Sequence, residues 1–229
     1  MPDAGAIGAA SLQGQSGGRL SNGGVTSEGS SRFAASIKGN TIVKLVGISG
    51  SLRSGSINSG LLRAAAELVP TGHEIIIGSI RGIPLYDGDV EARDGVPATV
   101  SALKDLIAAN DGLLLSTPEY NNSIPGVLKN AIDWLSRPSS DVARVFNSRP
   151  VAIMGASPGG FGTILSQNAW LPVLRTLGTQ PWFGSRLMVS RAGSVFSASG
   201  ELTDVATRET VRKFIEGFIA FAGQKATHG

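Results

Sequence analysis

No cysteine occurs in the 229 residues, which excludes disulfides, thiolate nucleophiles and cysteine-held zinc or iron–sulfur centres. Histidine is nearly absent too: His73 and His228 are the only two, which leaves little scope for a histidine metal site. Aromatic residues make up 6% and charged residues 16% of the chain. The charges are interspersed and form no basic stripe with interleaved aromatics, so no nucleic-acid partner is expected. A net charge of +3 keeps anionic small molecules in play. No apolar run approaches the length of a membrane span. A secretory signal with its apolar centre is also missing, so a cytoplasmic setting is expected.

What the chain does have is glycine, 31 residues of it, and 41% hydrophobic content, which suits a turn-rich globular domain with a sizeable core. Residues 1–40 carry nine Gly and seven Ser with little apolar periodicity. They read as a flexible leader, leaving residues 41–229 as the domain. From Thr41 onward strand and helix signals alternate at the spacing of crossover units, which predicts a parallel sheet covered on both faces. Strands are expected at Ile42–Ile48, Glu74–Ser79, Gly112–Thr117, Pro150–Gly155 and, more weakly marked, Arg186–Ser190. The helices between and after them fall near Asn58–Leu68, Pro97–Ala109, Pro125–Leu135, Thr163–Leu177 and Thr203–Phe221. Five parallel strands with helices on both faces make the flavodoxin-like version of the doubly wound α/β sheet.

Ligands of such sheets lie at the carboxyl ends of the strands, so the loops there carry the functional information. The first strand runs into Ser49-Gly50-Ser51-Leu52-Arg53-Ser54-Gly55-Ser56-Ile57-Asn58. Hydroxyls, an arginine and glycine backbone ahead of a helix N-terminus are the chemistry of a phosphate site. Ser51, Ser56 and Asn58 offer neutral hydrogen bonds and Arg53 a charged one. The loop has no Walker lysine and no G-x-G-x-x-G, so a single terminal phosphate suits it better than a triphosphate or a dinucleotide.

The third strand ends in Pro118-Glu119-Tyr120-Asn121-Asn122-Ser123-Ile124-Pro125. Two prolines fix this backbone, as recognition of a rigid heterocycle requires. Tyr120 would pack along a ring and Asn121 would meet its polar edge. Glu119 has no carboxylate or histidine partner nearby in sequence and reads as structural. The fourth strand leads to Gly155-Ala156-Ser157-Pro158-Gly159-Gly160-Phe161-Gly162, small residues that let backbone approach a ligand closely. Gly155 to Gly159 also match the G-x-S-x-G nucleophile elbow of hydrolases. Against that reading, Pro158 lacks the N–H of the oxyanion hole, and Asp204 and His228 are the sole later Asp and His.

Taken together, these loops resemble the NADPH-dependent FMN reductase family, which includes bacterial chromate and quinone reductases. The resemblance spans about Ile42 to Phe221. It is carried by Gly50-Ser51-Leu52-Arg53-x-x-Ser56-x-Asn58 and by Pro118-Glu119-Tyr120-Asn121-x-Ser123-Ile124-Pro125-Gly126-x-Leu128-Lys129-Asn130-Ala131-Ile132-Asp133-Trp134. The resemblance implies that Ser51, Arg53, Ser56 and Asn58 cradle the FMN phosphate, with Leu52 and Ile57 adding backbone. It places Pro118, Glu119, Tyr120 and Asn121 along the isoalloxazine, and Ser157, Gly159 and Gly160 in a third flavin loop.

Further implications of the resemblance are NADPH or NADH as co-substrate and flavin-borne chemistry with no catalytic side chain. Acceptors would be quinones, chromate, azo or nitro compounds, or free flavin. The assembly would be a homodimer or homotetramer, with the helix of Asn168 to Leu177 at its interface. An FMN electron carrier that does not itself oxidise NAD(P)H would share the fold and the loops. Trp134, Trp170 and Trp182 are expected in the core or at an interface.

Overall fold

The computed structural model describes residues 42–226. The leader expected at residues 1–40 and the late histidine His228 lie outside the described residues. Strand β1 (Lys44–Ser49) is followed by helix α1 (Ile57–Glu67), β2 (Glu74–Gly78), α2 (Gly88–Asp94), α3 (Ala98–Ala108) and β3 (Gly112–Ser116). Then come α4 (Gly126–Leu135), the one-turn α5 (Val142–Val145), β4 (Pro150–Ala156), α6 (Ile164–Thr176), β5 (Gln180–Pro181), β6 (Leu187–Val189) and α7 (Val205–Ala226).

All strand pairs are parallel, in the order β2-β1-β3-β4-β5, with β6 also on β4. This is the flavodoxin-like doubly wound order, with its switch point between β1 and β3. The single fifth strand expected at Arg186–Ser190 is instead two short segments on one edge. Pro181 has no N–H to extend the ladder, Trp182 N–H makes one more bond to Val151 O at 2.8 Å, and the chain rejoins only at Leu187, opposite Met154.

Strand alternation sorts the core into two layers. Leu45, Leu114 and Met154 face α1 and α7, where Leu61, Phe214 and Phe218 meet them. Val46, Leu113, Leu115 and Val151 face α3, α4 and α6, against Leu103, Ile132 and Trp170. Strand β3 is buried along its whole length, which explains why it reads as an unbroken apolar run. Trp134 and Trp170 are fully buried. Trp182 packs edge-on to Phe214 at 5.0 Å. All three therefore serve packing within the described chain.

One close approach fixes α1. A Cβ on Gly60 would lie 1.8 Å from the carbonyl oxygen of Gly200, whose φ is +80°. Gly60→Ala gains about 1 kcal/mol of helix propensity, but overpacking against immovable backbone costs up to about 3 kcal/mol. The net loss is about 2 kcal/mol, read as a Tm lowered by roughly 4–8 °C. An unchanged Tm would mean that the 200 loop yields freely.

Candidate functional site

Ser116 and Asn58 tie the strand ends together beneath the site. Gly50 N–H bonds Ser116 O at 2.8 Å and Thr117 N–H bonds Met154 O at 2.8 Å. The Asn58 amide is buried; its Nδ2 donates to Ala156 O and its Oδ1 accepts from Ala156 N–H, both at 2.9 Å. Ser116 Oγ donates to the Asn58 carbonyl at 2.9 Å. Thus α1, β3 and β4 are locked in one geometry by satisfied buried groups. Asn58 serves by holding α1 against β4, a part that the sequence pattern did not reveal.

Above this lock lies a hollow of about 170 Å³ that gathers all three loops. From the first come Ser51, Arg53, Ser56, Ile57 and Asn58; from the second Pro118, Glu119 and Tyr120; from the third Ser157. Leu52, Asn121, Gly159 and Gly160 belong to the same loops without lining the hollow. Gly55, Ala156 and Pro158 line it too; the loop motifs contain them, but none was given a ligand-binding role. Each stands next in sequence to a residue that was marked, which is the signal that would have found them.

Local chemistry explains each wall. Ser56 caps α1, its Oγ accepting from Ser59 N–H at 3.3 Å. The first-turn N–H groups of a helix have no intrahelical acceptor, so those of Ile57 and Asn58 remain available to an anion beside the positive end of the helix dipole. Arg53 is exposed, and among the described residues its guanidinium has no partner. Gly50 must be glycine, because a Cβ there would sit 2.9 Å from both Pro118 Cδ and Leu128 Cδ2. The phosphate-type loop and the ring-type loop are in this way packed against each other.

The second loop is a two-residue hairpin. Tyr120 and Ser123 exchange backbone hydrogen bonds of 3.1 and 3.0 Å, with φ of +50° at Asn121 and +60° at Asn122. This is the primed turn that favours Asn and Gly, and it leaves Tyr120 48% exposed at the mouth. Asn122→Gly keeps the turn, whereas Asn122→Val costs about 1–2 kcal/mol through the left-handed backbone. Thermal melts of the two variants should separate by about that amount; coincident melts would place no strain at the turn.

Glu119 has a definite task. Its Oε2 accepts from Leu165 N–H at 2.8 Å and Ser166 N–H at 3.0 Å, capping α6 from outside the helix. Ser157 Oγ donates to Gly162 O at 2.6 Å. The hydrolase reading finds no base for it: His73, the one histidine among the described residues, accepts from Val43 N–H at the amino end of β2. Asp204 accepts from Thr207. Among the described residues no His, Cys, Asp and Glu cluster fits a metal ion, and no helix is long and apolar enough to cross a membrane.

Comparison with known proteins identifies the family. Residues 43–194 match the model of the NADPH-dependent FMN reductase family. An NAD(P)H-dependent FMN reductase of Pseudomonas aeruginosa is 46% identical over 174 residues, covering 76% of this chain and 92% of that one. A 2-hydroxy-1,4-benzoquinone reductase of a Burkholderia species is 36% identical over 179 residues, covering 78% and 96%. Among solved structures, the flavoenzyme NAD(P)H:acceptor oxidoreductase FerB of Paracoccus denitrificans superposes with a TM-score of 0.71 at 31% identity, covering 80% of this chain and 98% of that one. With three loops converging at the β1/β3 switch point and a family model matching through all of them, the chain belongs to the NADPH-dependent FMN reductase family.

Proposed function

We propose that FMN binds in the three-loop hollow and that the chain passes reducing equivalents from NAD(P)H through it to quinones. Membership of the family makes the protein an FMN-dependent NAD(P)H oxidoreductase. The observation that carries the residue assignment is the pairing of an unpartnered Arg53 with free first-turn N–H groups in a single hollow.

The donor set fits a phosphate monoester. Arg53 supplies charge-assisted bonds, Ser51 and Ser56 hydroxyls, and Ile57 and Asn58 backbone N–H groups. Pro118, Glu119 and Tyr120 form a rigid backbone edge for the isoalloxazine, continued by Asn121 at the turn. Ser157 lines the third side, with Gly159 and Gly160 following it in the same loop; the Gly159 and Ser157 carbonyls are held by the Arg191 and Ala192 N–H groups. Leu52 contributes backbone, its carbonyl being held by Arg81.

Bound FMN supplies the hydride and electron chemistry. Pro118, Glu119, Tyr120 and Asn121 would hold the ring, and their backbone dipoles would stabilise negative charge on it. No side chain of the hollow has to carry a proton; its one carboxylate, Glu119, is committed to α6. A quinone acceptor is supported by the quinone-reducing relative and by the exposed Tyr120 beside the hollow. The cytoplasm, where reduced pyridine nucleotide is available, suits this chemistry. A homo-oligomer is consistent with the exposed Phe183, Ile164 and Leu165 flanking the apolar edge cleft between α6 and β5.

An anaerobic absorbance series on the FMN-reconstituted protein tests the reading. NADPH should bleach the flavin bands rapidly and one equivalent of a benzoquinone should restore them. A bound flavin left oxidised by both NADPH and NADH would make the protein an electron carrier, and failure to bind FMN would remove the site assignment.

A further inference from the structure

A second hollow, of about 320 Å³, opens at the carboxyl ends of β1 and β2, on the other side of β1 from the flavin hollow. Ser51 and Arg53 line both. Arg53, Arg63 and Arg81 line it, together with serines that include Ser59 and Ser79, and among the described residues no acidic residue does. Arg81 Nη2 donates to Leu52 O at 2.7 Å and Arg63 Nη2 to Gly200 O at 3.3 Å. Those bonds to neutral carbonyls hold the side chains in place but cancel no charge, and most of the five donors on each guanidinium stay free.

Arg93, Arg137, Arg144, Arg208 and Arg212 each pair with a carboxylate; among the described residues Arg149, Arg175, Arg186 and Arg191 do not, but none of those four lines this hollow. Among the described residues the three arginines of this hollow have no such partner. Three uncompensated cations in a concave, hydroxyl-lined, acid-free site favour a multiply charged oxyanion.

We propose that this hollow takes the 2′-phosphate at the adenosine end of NADPH, the group that NADH lacks. The proposal rests on the flavin occupying the neighbouring hollow. With Arg53 shared between the two, Arg63 and Arg81 carry the discrimination. The separation of the hollows by the Ser51–Arg53 wall lets both phosphates be bound in one complex without sharing a seat. Arg81 has a second part, since its bond to Leu52 couples filling of this hollow to the shape of the flavin-phosphate loop.

The test compares 2′-phospho-ADP-ribose with ADP-ribose by calorimetric titration of the full chain loaded with FMN. Two variants are used: Arg63→Gln, which removes a cation, and Ile77→Glu, which sets an anion into the hollow from a half-exposed β2 position remote from the flavin loops. The unaltered protein should prefer the phosphorylated probe by roughly tenfold or more. Each variant should bring that preference close to unity, and KM for NADPH should rise by the same factor while KM for NADH and kcat stay within about twofold.

Equal binding of the two probes by the unaltered protein would overturn the proposal, as would a preference that survives both substitutions. Inorganic phosphate binding here with the probe preference absent would make the hollow a free-phosphate site and also overturn it. The flavin assignment is read separately, from quenching of FMN fluorescence in the same samples; probe selectivity remains measurable whether or not FMN binds.

Discussion

Arg53→Ala should weaken FMN binding by about 10- to 100-fold while leaving the fold intact, since charge-assisted hydrogen bonds contribute about 1.5–3 kcal/mol each. Three features of the structure set that size. Arg53 is exposed, so its removal leaves no cavity and no orphaned buried group. Among the described residues it has no ion-pair partner, so its charge is fully available to a phosphate. The remaining donors, the α1 first-turn N–H groups and the Ser51 and Ser56 hydroxyls, are neutral and would retain part of the affinity. Arg53→Lys should recover only part of the loss, because an ammonium cannot reproduce the two-pronged geometry. Fluorescence titration of FMN reads the effect, and raising the salt concentration should narrow the gap between the variants. An affinity unchanged in Arg53→Ala would move the phosphate away from this loop.

Much of this site was legible in the sequence because its chemistry is local. A strand that ends in Gly50-Ser51-Leu52-Arg53 and a helix that starts after Ser56 lie within ten residues of each other, and helix capping alone predicts where N–H groups are free. The proline-bounded hairpin was marked by its own turn formers. Long-range pairings were not legible. Nothing near Asn58 indicates that its amide would close on Ala156, 98 residues away, nor does anything near Glu119 point to the first turn of α6. Both are single polar residues whose partners are backbone atoms, and backbone leaves no mark in the sequence.

The fold shows the same division. Strands β1 to β4 are marked by apolar runs, unbroken in β3, and the five helices expected between and after strands by periodic apolar faces; they appear where those signals predict. The broken edge strand does not, because Gln180–Pro181 and Leu187–Val189 are too short for a pattern. Helix α2, capped by Asp87, has no buried residue at all. It carries no amphipathic signal, and only the Asp cap would have marked its start. The loop before it is instead fixed from α4, where Asn130 Nδ2 and Trp134 Nε1 both donate to Pro84 O.

Asp141→Ala should be among the most destabilising single substitutions in the domain, and it should cost more than removing its partner. Lys104 is a buried cation on α3, its side chain 2% exposed, whose Nζ donates to Asp141 Oδ2 at 2.9 Å and to the Arg137 carbonyl. Asp141 is the more exposed member and has Arg144 as a second neighbour. Deleting Asp141 therefore strands a buried ammonium, a loss of about 3–5 kcal/mol, or a Tm lower by roughly 6–20 °C. Lys104→Met removes the charge and keeps the apolar stem, leaving Asp141 paired with Arg144; it should cost about 1 kcal/mol or less. The double variant should consequently be more stable than Asp141→Ala alone.

Acid provides an independent check of the same pair. The hydrogen bond from Lys104 holds the Asp141 carboxyl below its usual value of 3.8. A depressed folded-state value means that the contribution is complete above 3.8 and is lost as pH falls through the lower folded value. Unfolding free energy measured from pH 5 down to 2 should therefore fall more steeply in the unaltered protein than in Lys104→Met. Parallel slopes would show that the pair contributes nothing at either end of the titration, and a double variant no more stable than Asp141→Ala would show that the lysine finds other compensation within the α3–α5 layer.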